Sequence, residues 1–219
     1  MWLAALGAAT AGLALYASRA ASPGWEVAIV QFIQGLHVPG LHQTDLVLTR
    51  AGHTPLALPL TVIAVAGLVI AGHARLGLLL VLATAGRIVG GVIKMAIDRP
   101  RPESGDVSLA QIFGGPSFPS GHVLGTTLLL GWLIYSANHV FPQRWVRLPV
   151  QAVCAVGIVM MGVSRIELGA HWPTDVLGGY LVAGLMLVPL MSLHRRTMPK
   201  LQDDTAQELS TVRALAAAE

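Results

Sequence analysis

Apolar residues in this chain are gathered into six long runs, and polar residues fall in the segments between them. The runs cover residues 2–17, 55–72, 76–97, 120–137, 148–164 and 174–193. A helix that crosses the hydrocarbon core of a bilayer needs about 20 predominantly apolar residues, and these runs approach that length. The pattern predicts an all-α polytopic membrane protein in which six transmembrane helices form a bundle.

The first run is the weakest of the six. It is short and is followed by Ser18, Arg19 and Ala20, so it could instead be the apolar core of a signal peptide. Signal peptides normally begin with a basic segment, and the first three residues of this chain contain no basic side chain. We therefore expect a spanning helix, and cleavage would leave five spans with unchanged sidedness.

Composition agrees with a membrane protein, because 54% of the residues are hydrophobic and 11% are charged. The net charge is +3, but no basic stripe with interleaved aromatic residues is present, so we expect no nucleic-acid partner. Cys154 is the single cysteine and lies in an apolar run, which excludes a disulfide framework and a thiolate metal site. Its expected role is packing.

The segment from about 18 to 54 is too long for a tight turn and too polar to cross the membrane. Its apolar residues alternate with Glu26, Gln31 and Gln34, which favours a helix at the membrane interface with Trp25 as an anchor. It could cover the mouth of an active site or serve as a simple connector packed on the bundle. We place one membrane domain at residues 1–196 and a cytoplasmic tail at 197–219.

Lysine and arginine in short loops mark the cytoplasmic face of a membrane protein. One set of loops carries Arg75, Arg144, Arg147, Arg195, Arg196 and Lys200. The opposite side carries Arg19, Arg50 and Arg99 besides arginines that chemistry can explain. The bias predicts that both termini are cytoplasmic and that the loops at 98–119 and 165–173 lie on the extracytoplasmic side.

The first patch of candidate chemistry lies at the end of the third run. Lys94 and Arg101 are two helical turns apart, but Pro100 and Pro102 disfavour helix for the residues before them. We expect the helix to stop near Asp98 and Arg101 to bend back toward the pocket of Lys94. Alternatively, Lys94 extends to the lipid headgroups and the arginines contact lipid phosphate nonspecifically.

The second patch, Pro119-Ser120-Gly121-His122, begins the fourth run. Ser120 is a natural N-cap, Gly121 would let an anion approach the backbone, and the free N–H groups of a helix start bind phosphate. His122 would stand beside this site as a proton donor. The alternative is a helix cap with an incidental interfacial histidine.

The third patch joins the fifth and sixth runs. Ser164 and Arg165 leave one run, and His171 and Asp175 are four residues apart around Pro173, a residue suited to the first turn of the next helix. A carboxylate that holds an imidazole frees the other ring nitrogen to attack phosphorus. As an isolated pair they would be ordinary interfacial polarity, but Arg165 on the same side of the membrane favours chemistry.

Together the patches supply what phosphoryl transfer requires, which is fixed positive charge, an in-line nucleophile and a proton donor. The three segments K-x6-R-P, P-S-G-H and S-R-x5-H-x3-D resemble the signature of the type 2 phosphatidic acid phosphatase superfamily at eleven specified positions. The similarity covers a catalytic core at residues 94–175, and the six-span layout extends it to nearly the whole chain.

The resemblance implies a role for each matched residue. His171 would be the nucleophile that forms a phosphohistidine, Asp175 its orienting partner and His122 the acid that protonates the leaving oxygen. The phosphate would be held by Lys94, Arg101, Arg165, Ser120 and the backbone of Gly121. The resemblance also implies catalysis without a metal or other cofactor.

The leading interpretation is therefore an integral membrane enzyme that hydrolyses a lipid phosphate or diphosphate. Phosphatidate, phosphatidylglycerol phosphate and undecaprenyl diphosphate share the reacting end that the motif recognises, so the lipid and the oligomeric state stay open. Vanadium-dependent haloperoxidases have the same site, but they are soluble. A non-catalytic lipid-phosphate binder or anion transporter would not need two histidines and Asp175 in catalytic order.

Arg87 is explained by no motif and falls near the middle of the third run. A charge at the bilayer centre is costly, so this side chain should face the interior of the bundle. It could be a structural arginine, or it could lie beneath the catalytic pocket and keep it electropositive. Nearby, Gly86, Gly90 and Gly91 would permit close helix packing.

Overall fold

All the regular structure in the computed structural model of this protein, which describes residues 2–20, 23–36, 54–110 and 114–197, is helical. The helices are α1 (Trp2–Arg19), α2 (Gly24–Gln34), α3 (Thr54–Ile70), α4 (Ala74–Ala85), α5 (Arg87–Ile97), α6 (Gly121–Val140), α7 (Arg144–Glu167) and α8 (Pro173–Thr197). The predicted all-α class is confirmed for these residues. Of the predicted tail at 197–219, Thr197 is the last residue of α8, and residues 198–219 lie outside the described ranges.

Within the described ranges, four helical segments are long and apolar enough to cross a membrane. These are Ala74–Ile97, Gly121–Val140, Arg144–Glu167 and Pro173–Thr197. The first of them joins α4 and α5 through a turn at Gly86, and α3 is a shorter apolar helix of 17 residues. A multi-pass membrane fold is therefore present, while length and composition do not confirm the predicted count of six spans.

Helix α6 lies at the centre of the bundle and packs against α4, α7 and α8. The core around it contains Leu80, Leu128, Trp132 and Ala183, all fully buried. The indole N–H of Trp132 donates a hydrogen bond of 2.9 Å to the carbonyl of Leu76. This bond joins α6 to the first turn of α4 and satisfies a polar group that lipid could not solvate.

Two of the glycines predicted to permit close packing, Gly86 and Gly90, lie against neighbouring helices of the bundle. A side chain at Gly86 would collide with Met186 of α8, and one at Gly90 would collide with Leu124 of α6. Gly91 has open space beside it. The long span Ala74–Ile97 is thus seated closely on its neighbours.

The outward faces of the spans are apolar. Large exposed side chains on α5 and α7 include Ile88, Val92, Met95, Val153, Val156 and Val159. A water-exposed surface of this kind would be strongly unfavourable, whereas it suits contact with lipid chains.

Helix α2 packs against α7 and α8. Trp25 and Phe32 are exposed, in keeping with the predicted interfacial helix, and the indole of Trp25 donates a hydrogen bond to the hydroxyl of Tyr16. The interpretation of Glu26 as a polar interruption of an interfacial surface is wrong, because this side chain is completely buried. Residues 21–22 and 37–53 of the predicted connector lie outside the described ranges.

Candidate active site

The three sequence patches meet at one end of the bundle. Helix α5 ends at Ile97, and Asp98 caps it in the left-handed conformation with φ of 48°, so the predicted stop near Asp98 is confirmed. The chain then turns back: the amide of Ser117 donates to the carbonyl of Arg99 at 2.7 Å. Arg101 lies in this reversal of the chain, which ends at the start of α6.

Lys94 and Arg101 both donate hydrogen bonds to backbone carbonyls of the turn at 115–117. The Lys94 ammonium donates to the carbonyls of Pro116 at 2.5 Å and Ser117 at 3.2 Å. The Arg101 guanidinium donates to the carbonyl of Gly115 at 3.0 Å and to that of Ala170 at 2.6 Å. Burial lowers the pKa of the Arg101 side chain, which still carries its charge at neutral pH. The structure thus brings together the two cations of the first patch.

Ser120 occupies the N-cap position of α6, but its hydroxyl makes no cap hydrogen bond. The oxygen is buried and has no hydrogen-bond partner among the described residues. Open space lies beside the α-carbon of Gly121, and the first N–H groups of the helix have no intrahelical acceptor. The start of α6 therefore offers a hydroxyl and backbone donors to an anion, with His122 half-buried on its first turn.

Arg165 is fully buried in the last turn of α7. Its guanidinium donates to the hydroxyl of Ser164 at 2.8 Å. Its carbonyl accepts hydrogen bonds from the amides of Ala170 at 3.0 Å and His171 at 3.2 Å. These bonds close the loop at 168–172 and fix the backbone of His171 beside Arg165.

His171 and Asp175 approach each other as predicted, with Nδ1 and Oδ2 3.5 Å apart. Pro173 begins α8, also as predicted. Asp175 Oδ2 accepts a hydrogen bond of 2.9 Å from the amide of Trp172, so the carboxylate is fixed relative to the loop that carries the imidazole.

The environment of His171 selects one tautomer. Its Nε2 lies 3.2 Å from Arg101 Nη1, and a guanidinium can donate but not accept, so Nε2 is the unprotonated nitrogen and Nδ1–H faces Asp175. Burial lowers the pKa of His171 to about 4, against the opposing effect of Asp175, with Arg101 and Lys94 lowering it further. The imidazole is therefore neutral near pH 7, and its lone pair points to the cationic pocket.

Two buried residues of the site, Arg99 and Glu26, were missed by the sequence reasoning. Arg99 Nη1 donates to Asp175 Oδ1 at 2.8 Å and to Thr174 Oγ1 at 2.6 Å, and Nη2 forms an ion pair with Glu26. The sequence signal for Arg99 is its place in the Arg-Pro-Arg-Pro segment at 99–102. For Glu26 it is a carboxylate in an otherwise apolar stretch.

Arg87 faces the bundle interior, as predicted. Its guanidinium lies against Gly125, where any side chain would collide with it, one turn below the start of α6. It lines a cavity of about 140 Å³ together with Thr61, Thr84, Thr126 and Met161. The walls of this cavity are mostly apolar, so Arg87 places a positive charge within the membrane part of the fold.

Cations on two helices and on the loop after α5, a buried imidazole backed by a carboxylate, and a helix start whose first N–H groups lack intrahelical acceptors thus lie together at one end of the bundle. Phosphoryl transfer requires this set of groups. A family model described as the PAP2 superfamily matches residues 74–199. Phosphatidylglycerophosphatase B of Bacillus subtilis (strain 168) is 33% identical over 152 residues, which make up 68% of this chain and 72% of that protein.

Solved structures agree with this match. The crystal structure of a transmembrane PAP2 type phosphatidylglycerolphosphate phosphatase from Bacillus subtilis superposes with a TM-score of 0.80 at 26% identity, over 91% of this chain and 99% of that one. The structure of Aquifex aeolicus LpxE shares the fold, with a TM-score of 0.62 at 21% identity over 75% and 93% of the two chains. The chain belongs to the PAP2 superfamily, which confirms the predicted family and the class of membrane lipid phosphatase.

Proposed function

We propose that this protein hydrolyses the terminal phosphate of a membrane lipid through a phosphohistidine formed on His171. The observation that carries the proposal is the contact between His171 Nε2 and Arg101. It leaves the nucleophilic lone pair of a neutral imidazole directed at a cation suited to hold the phosphate.

The reaction has two balanced steps. In the first, Nε2 of His171 attacks phosphorus, the bond from phosphorus to the lipid oxygen breaks, and His122 gives its proton to that oxygen. In the second, water attacks phosphorus, His122 takes a proton from the water, and the phosphorus–nitrogen bond breaks to release inorganic phosphate. Asp175 stabilises the positive ring of the phosphorylated imidazole in between.

The charge of the transferring group is held by Lys94, Arg101 and Arg165 on its oxygens, with Ser120 Oγ and the Gly121 amide as further donors. The two cations that bind carbonyls of the 115–117 turn can exchange these neutral acceptors for phosphate oxygens, because hydrogen bonds between two ionised groups are the stronger kind. Three fixed cations supply the positive charge that a divalent metal gives in other phosphatases. We therefore propose catalysis without a metal.

For the substrate we propose a phosphorylated glycerolipid, with phosphatidylglycerol phosphate first. Support comes from the 33% identical relative, whose name states this activity. Phosphatidate and undecaprenyl diphosphate are the next substrates to test, because the residues that face the phosphate would contact all three in the same way.

For the topology we propose six spans, with α1 and α3 crossing besides the four longer segments, and an active site on the extracytoplasmic side. Helix α1 packs along α8, and Leu6 fills the space that a side chain at Gly184 would enter. The described side chains of α3 include none that is charged, and Leu58, Ile63 and Ile70 are exposed as lipid contact requires. Residues 1–196 would form one domain around the catalytic core at 94–175.

Purified protein in liposomes should release inorganic phosphate from phosphatidylglycerol phosphate, and His171→Ala should not. His73→Ala is the matched control, since His73 lies in the turn between α3 and α4 at the other end of the bundle. Binding of these lipids without release of phosphate by the wild-type protein would identify a binder and refute the enzyme.

A further inference from the structure

Behind His171 lies a row of buried charged groups that reaches from α8 to α2. Asp175, Arg99 and Glu26 are each at most 1% exposed. One oxygen of Asp175 faces the imidazole, and the other accepts a hydrogen bond of 2.8 Å from Arg99, which in turn pairs with Glu26. The row therefore runs from imidazole to carboxylate to guanidinium to carboxylate.

The far carboxylate is held as firmly as the near one. Glu26 Oε1 accepts hydrogen bonds from the amide of Thr174 at 3.0 Å and from its hydroxyl at 2.6 Å. Arg99 also donates to the carbonyl of Ala20 at 2.9 Å, and its guanidinium lies 5.8 Å from the centre of the Trp172 ring. The nitrogen donors of Arg99 are thus directed at fixed partners on both sides.

Helix α2 is tied to the catalytic loops at a second place. Gln34 donates to the carbonyls of Ser108 at 2.6 Å and Glu167 at 2.8 Å, and Gln31 donates to the carbonyl of Asp106 at 2.8 Å. These bonds set the position of α2, and with it the position of Glu26.

The order of the charges has an electrostatic consequence. Arg99 next to Asp175 without Glu26 would offset most of the negative charge that Asp175 presents to His171. With Glu26 ionised, the three groups carry one net negative charge, which favours the positive ring of a protonated or phosphorylated imidazole. Arg99 then fixes the carboxylate of Asp175 without cancelling its effect.

We propose that Glu26 and Arg99 are positioning residues of the catalytic site, with Glu26 balancing Arg99 so that Asp175 keeps its charge toward His171. This proposal rests on the proposed function, because it assigns a role in the phosphohistidine step. It makes α2 part of the catalytic machinery.

Other charged groups also act on His171, and they must stay unchanged in a test. Arg101 and Lys94 face it from the turn after α5 and from α5 itself, and Asp175 faces it from α8. Arg165 lies at the end of α7, where its carbonyl accepts a hydrogen bond from the His171 amide, and His122 lies on the first turn of α6. Substitution of Glu26 leaves all of these groups in place.

The test compares Glu26→Gln, Glu26→Asp and wild-type enzyme with dioctanoyl phosphatidylglycerol phosphate in detergent, from about pH 2.5 to 8. Glu26→Gln keeps the shape but removes the charge, so kcat should fall about tenfold with KM within about twofold. The acid limb of kcat/KM should move about one pH unit lower, because protonated His171 loses the same stabilisation. Glu26→Asp keeps the charge, so the acid limb of its kcat/KM profile should lie at the same pH as that of the wild type. Glu103→Gln removes an exposed carboxylate of the neighbouring loop and is the matched control.

A double variant distinguishes the electrostatic effect from a loss of stability caused by Glu26→Gln. In Glu26→Gln/Arg99→Gln both charges are absent, so the acid limb should return at least to the wild-type position. The proposal would be overturned if the acid limb of kcat/KM in the double variant lay at the same pH as in Glu26→Gln. It would also be overturned if Glu26→Gln and Glu26→Asp lowered kcat equally and neither moved the acid limb. A wild-type enzyme without phosphatase activity would instead refute the proposed function.

Discussion

Arg101 Nη1 and His171 Nε2 lie 3.2 Å apart, so the residue that would bind the phosphate also fixes the direction of the nucleophile. The guanidinium is itself anchored on the carbonyl of Ala170, the neighbour of His171 in sequence. A phosphate that takes over the hydrogen bond of Arg101 would free the Nε2 lone pair next to the bound phosphorus, which favours a near-attack arrangement when substrate arrives.

Loss of His171 should remove the covalent route. His171→Ala is expected to lower turnover by about a hundredfold or more while substrate binding is largely kept. His122→Ala should lower turnover with lipid substrate by a similar factor, yet allow slow phosphorylation of the protein by p-nitrophenyl phosphate, whose leaving group needs no acid. Steady-state kinetics and trapping of acid-labile phosphoprotein measure both. A His171→Ala enzyme with near wild-type turnover would end the assignment.

The stability of the folded protein should depend on His171 in acid. Its pKa is about 4 in the fold and about 6.5 in an unfolded chain, so between these values the unfolded state binds more protons. Stability should fall as the pH drops through this window, by at most about 1.4 kcal/mol per pH unit from this group. Thermal unfolding in detergent should show a shallower pH dependence in His171→Asn than in the wild type. Identical slopes would contradict a buried neutral imidazole.

Removal of divalent metal should leave activity unchanged, because Lys94, Arg101 and Arg165 supply the positive charge. Phosphate release measured with excess EDTA, and again after Mg²⁺ is added back, checks this. A strict requirement for Mg²⁺ would contradict the proposed mechanism.

The sidedness can be read by cysteine labelling in intact cells. Ser104→Cys lies on the exposed loop beside the site and should react with an impermeant thiol reagent added outside. Gln143→Cys, exposed before α7 at the opposite end, should react only after the cells are opened. The single native cysteine, Cys154, is buried and gives the background. The reverse pattern would place the active site in the cytoplasm.

Arg87→Leu tests whether the cation beneath α6 serves the reaction. If Arg87 keeps the pocket electropositive, activity per folded molecule should fall about tenfold while insertion and detergent thermal stability are kept. Ile88→Leu changes a lipid-facing neighbour on the same helix and is the control. A large loss of thermal stability with normal turnover per folded molecule would show that Arg87 is structural.

The sequence was sufficient for those features that depend on local chemistry. The stop after α5 follows from Pro100 and Pro102, and the helical class follows from the apolar runs. The approach of His171 to Asp175 follows from their separation of four residues at the start of α8. The burial of Glu26 could not be predicted, because it depends on how α2 packs on α7 and α8, contacts between residues far apart in the chain.

The contact between His171 Nε2 and Arg101 could not be predicted for a similar reason. The spacing K-x6-R-P indicated that Arg101 turns back, but its hydrogen bond to Ala170 comes from the tertiary arrangement of two loops. Two helices account for the unconfirmed count of spans. Helix α3 is only 17 residues long, and α1, although 18 residues long, is not among the described helices that are apolar enough to cross a membrane.

The pairing of Glu26 with Arg99 has a consequence for protein engineering. The family match begins at residue 74, so a transplant of that segment alone into another membrane scaffold would carry Arg99 and Thr174 but not the carboxylate that both of them contact. Loss of one of the two carboxylates that pair with the buried guanidinium would destabilise the fold by about 3 to 5 kcal/mol. A minimal catalytic module of this protein must therefore include the helix at Gly24–Gln34, or a redesigned neutral residue at position 99.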